Sequence, residues 1–174
     1  MLDEHFNSLK HHLFGQRIYW FPGSQFEDFR PLQPIHRDSI QVNTDLNALT
    51  QVLVWFDQFN CHPVSYQTWM QCQLALAEGF TNAVRHAHQG QPIEQLIDIE
   101  VIIFPEWLEI RIWDHGEPFN LIQKLESLPP EMDTNAEGGR GLKLMERIAD
   151  SLSYTRTEDD RNCLLIVKHY SKPA

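Results

Sequence analysis

A chain of 174 residues, 42% hydrophobic and 22% charged, has the composition of one soluble globular domain burying about 70% of its unfolded surface. Its 14 basic residues against 24 acidic ones leave a formal net charge of −10, which excludes a nucleic-acid surface built on clustered Lys and Arg. The three cysteines, Cys61, Cys72 and Cys163, lack Cys-x-x-Cys spacing; this excludes a disulfide framework and fits reduced thiols. No apolar run nears the ~18 residues of a membrane span. The opening Met1-Leu2-Asp3-Glu4-His5 lacks the basic and apolar regions of a signal peptide, so a cytoplasmic protein is expected. The nine histidines show no structural-zinc spacing: His11-His12 and His86-x-His88 point to different sides of a helix.

In chain order, residues 1 to 37 stand apart as an aromatic and proline-rich extension, with Ile18-Tyr19-Trp20-Phe21-Pro22 and Phe29-Arg30-Pro31 in it. Proline limits regular structure, yet so many aromatics imply packing on the domain or on a partner. Residues 38 to 174 form the regular domain. A short strand is predicted at Ser39 to Val42, then a helix capped by Thr44 or Asp45 and running to Phe59. A long helix from Ser65 to Ala87 follows, closed by Gly90 and Pro92. Ile97, Ile99, Val101 and Ile103 alternate with Asp98, Glu100 and Ile102 as a half-buried strand. A second strand carries Leu108, Ile110 and Ile112 inward, and residues 119 to 128 form a short helix. Pro129 to Glu137 has no periodicity; it fits a loop that orders over a bound ligand, and equally an ordinary surface connection. Leu142 to Ile148 is helical, and Leu152 to Thr157 with Cys163 to Tyr170 makes a closing hairpin. Strands with one polar face and several amphipathic helices imply an α+β two-layer sandwich. Its sheet is expected to be mostly antiparallel and mixed, with helices on one face.

Three segments carry candidate chemistry. The long helix sets Glu78, Asn82 and His86 at i, i+4 and i+8, a row of polar groups suited to a metal ion and phosphates. Beside it Ala75, Gly79 and Ala83 make a small-residue row that lets the helix lie close to a neighbour. A solvated polar edge would show the same spacing. Next, Ile110 to Asp114 is an apolar strand ending in a carboxylate and the turn His115-Gly116-Glu117-Pro118-Phe119. Last, Gly138-Gly139-Arg140-Gly141-Leu142 is a glycine run opening a helix, whose N–H groups and positive end suit an anion. Each turn alone also serves plain backbone needs; together, in this order, they are specific.

These segments resemble those of the Bergerat-fold ATP-binding proteins, the superfamily of gyrase, chaperones, histidine kinases and mismatch-repair proteins. Within it the chain is most similar to the bacterial anti-sigma factor serine kinases, over residues 38 to 170. Glu78 to His86 matches the N-box, Asp114-x-Gly116-x-Pro118-Phe119 the first glycine box, and Gly139-Arg140-Gly141 the second. The resemblance implies that Asn82 ligates Mg2+, that Asp114 accepts from the adenine amino group and that Glu78 is the general base. Gly139 to Leu142 would wrap the phosphates, with Gly138 beside them. His86, Gly116 and Phe119 belong to the same matched boxes. Arg85 and Arg140 are candidates for pairing with phosphate oxygens. Pro118 replaces a glycine common in the superfamily, and Cys163 and Leu164 stand where relatives often place a threonine near adenine.

The implied function is an ATP- and Mg2+-dependent protein serine kinase that phosphorylates a STAS-type anti-anti-sigma protein and regulates a sigma factor. A homodimer is also consistent with such kinases, whereas no nucleic acid or membrane is an expected partner. The alternative is a binding module that uses ATP only to set its grip on a partner protein. Neither a Gly-x4-Gly-Lys-Ser/Thr loop nor a Gly-x-Gly-x-x-Gly, Gly-x-Ser-x-Gly or His-Glu-x-x-His motif occurs. Without a helical dimer segment or a transducer domain, a complete histidine kinase or topoisomerase is not expected.

Overall fold

The computed structural model describes residues 12–13, 16–17, 33–60, 64–129 and 139–170. Contacts divide the chain into two units, Met1–Gln33 and Pro34–Ala174. In the first, strand β1 (His12–Leu13) pairs antiparallel with β2 (Gln16–Arg17). The aromatic and proline-rich runs expected to pack there lie outside the described residues, as do Pro130 to Gly138.

The second unit is built on a five-stranded sheet in the order β3-β4-β5-β7-β6. Its strands are β3 (His36–Asn43), β4 (Leu96–Ile103), β5 (Trp107–Asp114), β6 (Ser151–Arg156) and β7 (Asn162–His169). All four pairings are antiparallel, so the sheet is not the mixed one expected. The tight β4–β5 and β6–β7 hairpins force that sense, and β7 then lies alongside β5.

Helices α1 (Leu49–Asp57), α2 (Tyr66–Asn82) and α4 (Arg140–Ile148) contact this sheet, and the short α3 (Leu121–Ser127) follows β5. Their apolar stripes and the inward residues of the strands form one core. Ile99, Ile110, Ile112 and Ile166 supply the sheet side, and Phe56, Trp69, Leu76, Phe80 and Met145 the helical side. Phe56 and Trp69 stack at 4.1 Å, and the Trp69 indole N–H donates to Asp57 at 3.2 Å, which ties α1 to α2.

Local signals decide where the helices begin. Ser65 caps α2 by accepting from the Thr68 N–H at 3.2 Å, and Asn120 caps α3 in the same way at 3.1 Å. Asp45 caps a 3-10 turn, Leu46–Ala48, rather than an α-helix, so α1 starts only at Leu49. Thr44 is engaged elsewhere. The predicted helix to Ala87 also changes character. Ala83–Ala87 is a π-turn, closed by the His88 N–H on the Ala83 carbonyl at 2.9 Å. A π-turn shifts the helical phase, so His86 leaves the row of Glu78 and Asn82.

The sheet face turned away from the helices is not the polar surface that alternation predicted. Ile102, Phe104 and Trp107 form a second buried cluster with Val167 against it. Glu100 and Glu109 are buried among them, and Arg111 bridges both at 3.1 and 2.5 Å while Arg37 reaches Glu100 at 2.6 Å. Buried carboxylates persist only when paired, and here each has a guanidinium.

At Gly79 the α2 helix lies close against the sheet. A Cβ there would stand 2.6 Å from Ile112 Cδ1 and 3.1 Å from Leu164 Cδ2. Gly to Ala inside a helix ordinarily stabilises by about 1 kcal/mol. Overpacking a tight core costs about 1–3 kcal/mol. Because Ile112 is fully buried, the second effect wins. Gly79→Ala should therefore lower stability in urea unfolding; a gain would mean that the helix can shift off the sheet without cost.

Candidate functional site

The C-terminal half of α2 separates two groups of side chains. On one side Glu78 and Asn82 face the start of α4. A Cβ added to Gly141 would collide with the Glu78 carboxylate and lie 3.5 Å from Asn82 Nδ2, so α4 starts close against these two side chains. Asn82 Nδ2 is buried without a partner among the described residues. Gly139 opens α4 with a left-handed backbone, φ +84°, and provides no side-chain cap. Among the described residues no side chain caps the first-turn N–H groups of α4, at the positive end of the helix.

On the other side, β5 ends in Asp114, which is 3% exposed. Its Oδ1 accepts from the Gly116 N–H at 2.9 Å and from Asn162 Nδ2 at 2.9 Å. The Tyr154 hydroxyl donates to both carboxylate oxygens, 3.0 Å from each. Asn162 also donates to the Gly116 carbonyl at 2.8 Å. Phe119 leans on the Tyr154 ring with centroids 4.5 Å apart. Gly116 touches the π-turn: a Cβ there would be 2.7 Å from the Ala87 backbone.

The turn after Asp114 is held by His88. The His115 N–H donates to His88 Nε2 at 2.8 Å, so that nitrogen carries the lone pair. The proton then sits on Nδ1 and goes to Thr44 Oγ1 at 2.6 Å, whose own proton goes to the Gln95 carbonyl at 2.6 Å. Thus β3, the π-turn and the Asp114 turn share one chain of hydrogen bonds. Burial pushes the His88 pKa below its ordinary value, although the Asp114 charge opposes this.

Of the residues chosen from the sequence, Glu78, Asn82, Gly139, Gly141 and Leu142 meet at the α4 start, and Asp114, Gly116 and Phe119 meet around Tyr154. Arg85 and His86 are exposed on the π-turn and Arg140 is exposed on α4. Gly138 lies outside the described residues. Sequence reasoning missed His88, Tyr154 and Asn162. The β5–β7 register sets Asn162 opposite Asp114, and Arg156 of β6 pairs with Asn162, two residues from Tyr154. No local spacing announces that register. A separate cavity of about 490 Å³, lined by Gln41, Gln95, Asp98, His115 and Arg161, shares none of the predicted residues. Its Arg161 is already neutralised by Asp98 and Asp159, both at 2.6 Å.

Comparisons with known proteins agree with this geometry. Residues 42–168 match the histidine kinase-like ATPase domain, and the chain belongs to that family. The serine-protein kinase RsbW of Listeria monocytogenes serotype 4a (strain HCC23) is 36% identical over 93 residues, 51% of this chain and 59% of the relative. The serine-protein kinase RsbW of Bacillus pumilus is 34% identical over 93 residues, 50% of this chain and 57% of the relative. The matches thus span less than two thirds of those relatives. The crystal structure of the RsbU and RsbW domains of a Mycobacterium tuberculosis protein superposes with a TM-score of 0.57 at 14% identity. It covers 81% of this chain and 34% of that one, and this likeness concerns the fold alone. No described helix is long and apolar enough to cross a membrane.

The neutral His88 has a consequence for pH. Its pKa is lowered in the fold from an unfolded value of about 6.5. Between the two values the unfolded chain binds more protons, so the His88 contribution is complete above about 6.5 and is lost as pH falls below it. His88→Gln does not titrate and its carbonyl still accepts an N–H. The wild type should lose more thermal stability than His88→Gln between pH 7.5 and 5.5. Parallel losses would remove His88 from the account.

Proposed function

We propose that this domain is an ATP-dependent protein serine kinase acting on a STAS-type anti-anti-sigma protein, and that it regulates a sigma factor through that partner. The observation that carries the reading is the meeting of the Glu78 carboxylate, the Asn82 carboxamide and the open start of α4 at Gly141, one helix away from the buried Asp114. The relatives named serine-protein kinase support the same chemistry.

Phosphoryl transfer asks a protein mainly for positioning and charge neutralisation. Asp114 holds the adenine by its amino group, and the α4 N–H groups from Gly139 to Leu142 receive the phosphates. The residues present fit Mg2+. Asn82 offers a neutral oxygen, and among the described residues its carboxamide nitrogen has no partner, which leaves its orientation to a ligand. Held there by Asn82, the ion would supply charge neutralisation to the phosphates. Glu78, one helical turn before Asn82, takes the proton from the attacking serine hydroxyl. A homodimer and a bound sigma factor belong to this reading as partners.

One observation favours a second reading. The Gly141 backbone lies against the Glu78 carboxylate, which covers the base from that side. A module that only grips a partner according to its nucleotide would tolerate a covered base; a kinase must uncover it.

Two measurements decide. Asp114→Ala leaves the adenine amino group unpaired in a buried site, at a cost of about 1–3 kcal/mol. Calorimetry should show ATP affinity falling accordingly; unchanged affinity rejects the adenine assignment. Glu78→Gln keeps shape and hydrogen bonding but cannot take a proton. Incubation with labelled ATP and STAS proteins of the same genome should show transfer by the wild type, and ~10²–10⁴-fold slower transfer by the variant with ATP binding intact. ATP-tuned partner affinity with no transfer by the wild type would instead establish the binding module.

A further inference from the structure

The peptide that leaves Asp114 is held by a histidine. Its N–H, that of His115, donates to His88 Nε2 at 2.8 Å, while the next N–H, that of Gly116, returns to Asp114 Oδ1 at 2.9 Å. Among the described residues Oδ2 carries a single donor, the Tyr154 hydroxyl, so one of its two lone pairs is open to an incoming amino group. Where that lone pair points depends on how the turn is set.

Two side chains tie the turn to the rest of the domain in different directions. Asn162 joins the Gly116 carbonyl to β7 at 2.8 Å. His88 joins the turn to the helix side: its own N–H closes the π-turn on Ala83 at 2.9 Å, directly after the helix that carries Glu78 and Asn82. The ring is 2% exposed, and its Nδ1 meets Thr44 Oγ1 at 2.6 Å. Thr44 is fixed in turn by its hydroxyl on the Gln95 carbonyl at 2.6 Å and by its N–H on the Ile93 carbonyl at 3.0 Å. His115 also meets Gln91 and Gln95, but those contacts are exposed and water can replace them. A buried N–H that loses its acceptor has no such substitute.

Resting on the adenine reading of Asp114, we propose that His88 is a positioning residue of the nucleobase subsite, acting through the Asp114–His115 peptide rather than on the base itself. It fixes the direction of the open Oδ2 lone pair relative to α2. A 6-amino group donates to that lone pair, and the bond weakens steeply once its angle is lost. A 6-oxo group is an acceptor and makes no such bond, so it has nothing to lose. Removing the His88 acceptor therefore weakens ATP and spares a 6-oxo nucleotide.

Isothermal calorimetry of the full chain with Mg2+ and either ATP or inosine triphosphate tests this. The wild type should prefer ATP. In His88→Leu the preference should narrow about ten-fold through weaker ATP binding, the scale of one hydrogen bond to a charged group. His88→Gln, whose carbonyl accepts the same N–H, should retain most of the preference. Thr44→Val frees the ring but leaves the acceptor in place; it should narrow the preference less, and it decides where His88→Leu does not fold. A general loosening of the fold would weaken both nucleotides alike, so an unchanged ratio in His88→Leu, or in Thr44→Val where that variant decides, overturns the proposal. A loss in His88→Gln as large as in His88→Leu does the same. A wild type that binds no nucleotide, or binds both equally, sinks the adenine reading and this proposal with it. A wild-type preference that survives the variants sinks this proposal alone.

Discussion

At Gly79 the α2 backbone meets Ile112 and Leu164 with no side chain between them, and the rest of the site is laid out from that contact. Because the helix lies so near β5 and β7, Glu78 and Asn82 are carried along its flank rather than into the core. Ile112 is two residues before Asp114, so the same contact sets the height of the carboxylate against the helix. The core is dense at this point, with Ile112, Phe80 and Met145 all fully buried. A dense core transmits position without slack.

Two further close approaches complete the frame, each at a glycine. Gly116 lets the Asp114 turn lie on the Ala87 backbone, and Gly141 lets α4 lie on Glu78. The π-turn at Ala83–Ala87 is what presents Ala87 to Gly116. Such turns interrupt an α-helix at some local cost and recur at functional sites. Here the interruption ends in His88, whose ring joins the helix exit to Thr44 and to the His115 backbone. The carboxylate is thus over-determined, with donors from the turn after β5, from β6 and from β7 converging on it. The α4 end is the opposite: Gly139 has no side-chain cap, and the Asn82 carboxamide nitrogen has no partner among the described residues. In the proposed reading the fixed half would hold the base and the open half the phosphates.

The family assignment and the geometry carry different parts of the reading. The match over residues 42–168 establishes the kind of domain. The kinase reading draws on Glu78 and on relatives that the matches span in part. The Tyr154–Asp114–Asn162 cluster and the His88 bridge are read from this chain's own side chains.

The sequence by itself determined the inward strand residues, the cap at Ser65 and the three chemical segments, because each depends on neighbours within a few positions, whereas the close approaches at Gly79, Gly116 and Gly141 are to residues distant in the chain. Periodicity of two and of 3.6 is a local property, and so is the demand of a turn or a helix start for glycine. It misplaced the first helix start, the end of α2 and the burial of Glu100 and Glu109, and it foresaw a mostly antiparallel sheet where all the described pairings of the five strands are antiparallel. Asp45 looks like an α-helix cap from its spacing, yet the chain tightens into a 3-10 turn while Thr44 bonds to His88, 44 residues away. The run through Ala87 reads as unbroken helix because nothing in it forbids a π-turn. Tertiary structure alone decided which side chains reach Asp114. Tyr154 and Asn162 arrive through strand register, and register is fixed by pairing between segments 40 and 48 residues apart. Hydrogen bonds across such distances leave no periodic trace in a single sequence.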